Sequence, residues 1–309
     1  MAVDTHDAAG GPSVGRGPSA TGGPSAAGGA QGYRPGRTLS LWTEVRRQAS
    51  RRRTQMALGF MVVLPLIILG AFELGGDGDG DDGNGQFSQL AELAISGGPN
   101  FALFTLLVSS GFLLVVVVAL FCGDTVASEA SWGSLRYLLA VPVPRARLLG
   151  VKLIVALAYS ALALLVLTGT ALLAGTLRYG WNPLGGPIGG EFPAGEGVLR
   201  LLGIVGYLAI SLLVVGSLAF LLSVLTDAPL GAVGGAVLLH IMSSILDQIT
   251  ALGNLRNLLP THYAQAWLGI LSKPVQSDDL VRGCIAAVSY ATIFLALAWW
   301  RFLRKDIVS

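Results

Sequence analysis

The chain is short of charge, lysine, cysteine and histidine, and each shortage removes a class of function. Only 12% of its 309 residues are Asp, Glu, Lys or Arg, against 53% hydrophobic. That is about half the charged share of an ordinary soluble chain. A soluble globular enzyme and a disordered polypeptide are excluded, because neither carries several apolar runs of about 20 residues. A net charge of +2 gives no reason to expect a nucleic-acid partner. Cys122 and Cys284 are the two cysteines, each in or beside an apolar stretch. Neither a disulfide framework nor a metal cluster is expected of them, and both read as small buried hydrophobes. His6, His240 and His262 are too scattered for HExxH or another local ligand spacing, which leaves metal catalysis without support. None of the three lysines (Lys152, Lys273, Lys305) follows a glycine, so the phosphate loop GxxxxGK(S/T) is missing and the chain is no ATPase by itself. His240 with Ser243 and Ser244 is the one grouping that suggests an intramembrane hydrolase, and it lacks a third orienting residue. The chain is expected to be no enzyme and to hold no cofactor or metal of its own.

What is present is a series of apolar stretches behind a polar leader. Residues 1–37 are Gly, Pro, Ser and Ala in loose repeats such as Gly22-Gly23-Pro24-Ser25, a composition that cannot offset the entropy of ordering, so a disordered tail is expected. A signal peptide is not, since the first apolar run begins near Met56, too far from the start for an h-region. Residues 38–55 are read as an amphipathic helix with Trp42, Val45 and Ala49 on one face and arginines around the rest, lying in the headgroup layer. Six apolar stretches follow, at about 56–72, 101–122, 148–177, 198–225, 229–246 and 281–300. Each approaches the length needed to cross roughly 30 Å of hydrocarbon, and backbone hydrogen bonding in lipid makes helices of all six. The fold class expected is therefore an all-α integral membrane protein of six transmembrane helices.

Charge placement gives an orientation. Fifteen of the 20 Lys and Arg residues fall in 1–55, 123–152, 223–230 and 301–309, which by the positive-inside rule puts both termini in the cytoplasm. The first external loop carries Glu73, Asp77, Asp79, Asp81, Asp82 and Glu92 without a single basic residue. Asp77-Gly78-Asp79-Gly80-Asp81-Asp82 looks superficially like the start of a calcium loop, but no Glu follows at the twelfth position, and a solvated acidic loop is the better reading. His240 inside the fifth span is either a functional group or a neutral imidazole bonded to a neighbouring helix. Gly231 and Gly235 form a GxxxG spacing that serves intrachain packing or a dimer contact. Ser109, Ser110, Thr168, Tyr207 and Ser211 either line a pathway or bond their own backbone. Residues 251–275, with Pro260 and Trp267, are either a pair of short re-entrant helices or a loop with amphipathic turns.

The informative segment is 123–152. Between spans two and three it is expected to form a short helix with Trp132, Leu135 and Leu139 on one face, ended by Pro142 and Pro144. The order Asp124, Glu129, Gly133-Ser134-Leu135-Arg136, Leu138-Leu139, Pro142, Arg145 and Lys152 resembles the cytoplasmic signature of type-2 ABC transporter permeases, the membrane subunits of many bacterial exporters. Leu259-Pro260-Thr261-His262-Tyr263 before the last span and Arg301-Phe302-Leu303-Arg304-Lys305-Asp306 at its end also look like that family, so the resemblance covers about 38–309. Pro144 departs from it, standing where a serine is usual, and the family's external domains are missing or very short. The resemblance implies a permease subunit of an ATP-driven exporter in the cytoplasmic membrane, working as a homo- or heterodimer with a separate cytoplasmic ATPase that binds ATP and Mg. Asp124, Glu129, Gly133, Leu135, Arg136, Pro142 and Arg145 would form the coupling helix that contacts the ATPase. Read without the resemblance, Glu129 and Arg136 are solvated charges on an amphipathic helix, and Lys152 snorkels from a span end. A stand-alone secondary transporter or membrane anchor is the alternative function; ion-coupled carriers need acidic residues in mid-span, whereas here they cluster at span ends.

Overall fold

A computed structural model describes residues 41–75, 91–131, 145–186 and 190–304. Its elements are α1 (Leu41–Ala49), α2 (Arg52–Gly75), α3 (Gly98–Ser110), α4 (Leu113–Ser131), α5 (Arg145–Tyr179), a hairpin of two two-residue strands, β1 (Leu184–Gly185) and β2 (Glu191–Phe192), then α6 (Ala194–Ser211), α7 (Leu213–Leu225), α8 (Pro229–Asp247), the 3₁₀ segments Thr250–Leu258 and Ala266–Leu271, and α9 (Asp278–Arg304). Among the described residues six stretches are long and apolar enough to cross a membrane: Arg52–Leu74, Leu113–Ser131, Ala146–Tyr179, Gly195–Leu225, Pro229–Asp247 and Asp278–Arg304. The chain is thus a multi-pass membrane protein built mainly of helices. The acidic loop at 77–82 and the 1–37 leader lie outside the described residues.

The apolar runs place the helices but not their ends. The second expected span, 101–122, divides into α3 and α4 at Gly111-Phe112, and α4 runs on to Ser131, so Asp124 and Glu129 belong to the last turns of a spanning helix rather than to a separate one. The physical reason is plain: Asp124 and Glu129 are held by partners, so the helix continues through them without exposing charge. The fourth span runs on through Leu212, where the Leu212 N–H donates to the Leu208 carbonyl and the Gly216 N–H to the Leu212 carbonyl, both at 2.9 Å, joining α6 to α7 in one stretch. The amphipathic helix ends at Ala49, where 38–55 was expected, and Arg52 to Gln55 open α2.

At the centre of the bundle, α4 packs on α7, α8 and α5, while α9 lies along α7, and α2 and α3 lie along α5. Leu113–Ser131 is buried over most of its length, whereas α2, α8 and α9 leave most of their surface outward. These outward faces are apolar, with Leu66, Ile67, Leu238, Met242 and Ile293 exposed, as lipid contact requires. At 35 residues, α5 is about 50 Å long and reaches past the hydrocarbon at one end or both. Pro65 within α2 removes the N–H that would meet the Met61 carbonyl. The Thr170 hydroxyl of α5 lies 3.4 Å from that oxygen, although its shorter bond is to the Val166 carbonyl at 2.7 Å.

Small residues set the closest crossings. A Cβ on Gly98 would fall 2.7 Å from the Thr176 backbone nitrogen, and one on Gly123 would fall 2.9 Å from a Val233 methyl. Gly98→Ala is therefore expected to lower stability by about 1–3 kcal/mol through overpacking. Gly59→Ala on α2, where nothing lies within 4 Å, should instead gain up to roughly 1 kcal/mol of helix propensity. Detergent unfolding titrations of the two variants check this, and equal midpoints would refute the close α3–α5 crossing. Of the GxxxG pair, Gly231 is exposed, whereas a Cβ on Gly235 would fall 3.2 Å from a Leu222 methyl of α7, beside the fully buried Ala232 and Ala236. Cys122 is buried and Cys284 half-buried, both as free thiols.

Chain direction brings the starts of α2, α5 and α8 and the ends of α4, α7 and α9 to one end of the bundle. At the opposite end the hairpin buries Leu184 and Phe192, and Arg200 of α6 stacks over Phe192 at 3.9 Å while donating to the carbonyls of Ile270 and Ser272. Lys273 lies over the other reach of Phe192 at 4.2 Å and donates to the Glu191 carbonyl at 2.8 Å. Tyr207 donates to the Tyr263 carbonyl at 2.6 Å, and Trp267 is fully buried. The region 251–275 is thus fastened to α6 through its backbone, in two 3₁₀ segments.

Candidate functional site

The charged residues expected to matter converge at the α1 end of the bundle. Helix α1 is nine residues long with apolar Leu41 and Trp42 outward, Trp42 at 73% exposure. One turn apart, Glu44 and Gln48 are its buried residues. The helix therefore shows lipid-compatible side chains outward and a polar stripe inward, toward the ends of α4 and α5. It turns into α2 through a short elbow, in which the Ser50 hydroxyl donates to the Arg47 carbonyl at 2.9 Å and the Gln55 amide to the Ala49 carbonyl at 3.1 Å. Tyr159 of α5 donates to the Val45 carbonyl at 2.8 Å, fixing the outer turn of α1 against the bundle.

Two carboxylates of α4 each receive two cations. Asp124 accepts from Arg51 at 3.1 Å and from Arg53 at 2.7 Å. Glu129 accepts from Arg47 at 2.7 Å and from Lys152 at 2.6 Å. Lys152 also reaches Glu44 at 3.3 Å and the Thr125 carbonyl at 3.5 Å. Glu129 and Lys152 are buried to 2% and 3% exposure. A charge removed so far from water persists only when its partners supply comparable stabilisation. Four helices are tied together by this one network: α1 through Glu44 and Arg47, the elbow and α2 through Arg51 and Arg53, α4 through Asp124 and Glu129, and α5 through Lys152.

The backbone of α4 is irregular beside these carboxylates. The Ser223 hydroxyl oxygen of α7 accepts from the N–H groups of both Val126 and Ala127, at 3.0 and 2.9 Å. Thr125 donates to the Cys122 carbonyl at 2.7 Å. A side chain entering a helix ladder in this way marks a bend-prone turn, and here it lies between Asp124 and Glu129.

Of the residues assigned to the coupling helix, Asp124 and Glu129 are thus brought together, with Lys152, inside an intrachain network. Gly133, Leu135, Arg136 and Pro142 lie outside the described residues, as do Trp132, Leu139 and Pro144. Arg145 opens α5. Neither Asp124 nor Glu129 presents a solvated carboxylate, and Lys152 does not snorkel to the surface. Sequence reasoning missed Glu44, Arg47, Arg51, Arg53 and Ser223 as partners. The available signal was the spacing of Glu44 and Gln48, which puts two polar groups on one face of α1 beside its apolar arc.

Residues 84–308 match the family described as a protein of unknown function, DUF2705. The match spans well over half of the chain, so the chain belongs to that family. A comparison with curated proteins finds no match.

Proposed function

We propose that this family member is the membrane-spanning subunit of an ATP-driven exporter in the cytoplasmic membrane. In this reading both termini and the arginine-rich end face the cytoplasm, and a separate ATPase subunit holds ATP and Mg. Two permease chains form the transport path. The observation that carries the reading is the placement of Asp124, Glu129 and Lys152, three residues of the permease-like signature, in one network at the end of the bundle where 132–144 joins α4 to α5. A partner pressing on that connection acts at once on α1, α2, α4 and α5.

The reading gives the signature residues two kinds of work. Leu135 and Arg136, in the connection, contact the ATPase. Asp124 and Glu129 are positioning residues, which pass displacement of the connection to the helices through their ion pairs. Nucleotide-driven closure of the ATPase then favours one arrangement of the bundle because it contacts the two arrangements unequally, as any switching device requires.

Affinity purification of the tagged chain from its own host in mild detergent tests this, with mass spectrometry of co-purifying proteins. The wild-type chain should bring down a soluble ATP-binding protein in stoichiometric amount. Leu135→Asp and Arg136→Glu should lose it while the permease chain itself is recovered in unchanged yield. Recovery of the wild-type chain alone, under conditions that keep a known ABC complex intact, would replace this reading with the stand-alone carrier.

A further inference from the structure

At the end opposite the arginine network, a cavity of about 320 Å³ runs inward between α8, the α3–α4 junction, the α6–α7 junction and the segment after Thr261. Its size is that of a small-molecule pocket. At its mouth are the exposed amides of Gln248 and Gln265. Deeper in are Ser244 and, one turn further along α8, His240; deepest are Ser211 and Ser110.

Two features distinguish it from an ordinary crevice. First, the break between α3 and α4 lies against it. Gly111 lines the cavity, and the helices on either side of Gly111-Phe112 are separate. Gly111 lies about 20 Å along the helix from Gly98, well inside a hydrocarbon layer of about 30 Å. Interrupted helices at such depth are tolerated where they line a cavity rather than lipid. Second, the half-buried side chains of Ser211, His240 and Ser244 have no hydrogen-bond partner among the described residues, while the exposed Gln248 and Gln265 meet water at the mouth. Polar groups at the depth of those three need partners, and the cavity is the space they share.

The chemistry of the lining defines what would meet it. Among the described residues no Lys or Arg lines the cavity, so an anion finds no counter-charge there. The single carboxylate, Asp247, is already engaged by His262 Nδ1 at 2.6 Å and by Arg256 at 3.6 Å, so a cation finds no spare charge. What remains are hydroxyls, amides and an imidazole, groups that both donate and accept. We infer that the cavity is a vestibule for a neutral solute with hydroxyl or amide groups, entering from the end opposite the arginine network. Naming that solute as transported cargo rests on the proposed export function. The cavity's selectivity for neutral polar solutes does not.

Cysteine labelling of the purified full chain in nanodiscs, without any ATPase, tests the inference and so fails separately from the export reading. In a Cys122→Ala, Cys284→Ala background, Ser244→Cys and Ser211→Cys would be exposed to three methanethiosulfonates: a neutral hydroxylated one, a trimethylammonium one and a sulfonate. Each rate is divided by the rate of the same reagent with free mercaptoethanol. Both cysteines should react with the neutral reagent at least about tenfold faster than with either ion, since an ion must shed water to enter an uncharged cavity. Leu238→Cys, on the outward face of α8, should stay unlabelled by all three. Equal normalised rates for neutral and charged reagents would mean an unselective water-filled crevice and would overturn the inference, as would absence of labelling at Ser244→Cys. Labelling at Ser244→Cys alone would overturn the reach of the cavity to Ser211.

Discussion

Lys152→Met is expected to lower stability by about 3–5 kcal/mol, the usual result of stranding a buried charge by removing its partner. In the native chain the Lys152 ammonium lies between Glu129 and Glu44 at 2.6 and 3.3 Å, in a site almost closed to water. Without it, two carboxylates are left close together with Arg47 as their shared counter-charge. Glu129→Leu, made alone, leaves the buried Lys152 with Glu44 at 3.3 Å as its one charged partner among the described residues and should also be damaging, though less than Lys152→Met because Arg47 is partly exposed and keeps Glu44 nearby.

The double variant is the informative one. Lys152→Met with Glu129→Leu removes both desolvated charges, fills their space with apolar atoms and leaves Glu44 beside Arg47, already 3.6 Å away. It should recover to within about 1.5 kcal/mol of wild type, because replacing a buried pair with apolar residues is commonly neutral or favourable. Unfolding titrations in mixed micelles, analysed as a double-mutant cycle, measure the coupling directly. Additive losses would show that the two residues act through separate contacts and that the network is no unit. On the proposed export function, and if the network transmits motion to the bundle, the recovered double variant should still bind the proposed ATPase yet fail to couple, which separates transmission from stability.

The spans were legible because each carries an apolar run that only a helix can carry through lipid. Their ends were less so. Asp124 and Glu129 looked like the exit of a span since charge after an apolar run normally meets water. What keeps them inside the helix is a set of cations 71 to 82 residues earlier in the chain, and no local pattern announces a pairing over that distance. Lys152 was singled out by sequence order, but whether it snorkelled or paired depended on where α1 folded back. The break at Gly111 left no mark, because glycine is ordinary in apolar helices and only its place against a cavity gives it meaning. The polar lining of that cavity was visible as Ser110, Ser211, His240 and Ser244 in three spans. Gln248 and Gln265, at its mouth, were not singled out.

Asp124→Asn should loosen the elbow between α1 and α2. Arg51 and Arg53 stand beside Arg52, and their two bonds to Asp124 hold that cluster against the end of α4. Hydrogen bonds to a charged group are worth roughly 1.5–3 kcal/mol each. Asparagine keeps the shape and one acceptor while removing the charge, so most of that stabilisation goes and the neighbouring arginines repel. The elbow then opens more often, and trypsin, which cuts after arginine, reads the opening as cleavage after Arg51, Arg52 and Arg53. The rate should rise about ten- to a hundredfold where opening is fast relative to cutting. Ser128→Ala, which removes a 3.4 Å contact with Arg51 and the hydroxyl's bond to the Asp124 carbonyl within α4, leaves both bonds to the Asp124 carboxylate in place and should stay within about twofold, since so long a bond to Arg51 contributes little. An unchanged rate for Asp124→Asn would mean that the elbow is held by the Tyr159 bond to the Val45 carbonyl and by the pairs of Glu129. Asp124 would then have no share in clasping α1, and any transmission from the 132–144 connection would run through Glu129 and Lys152 alone.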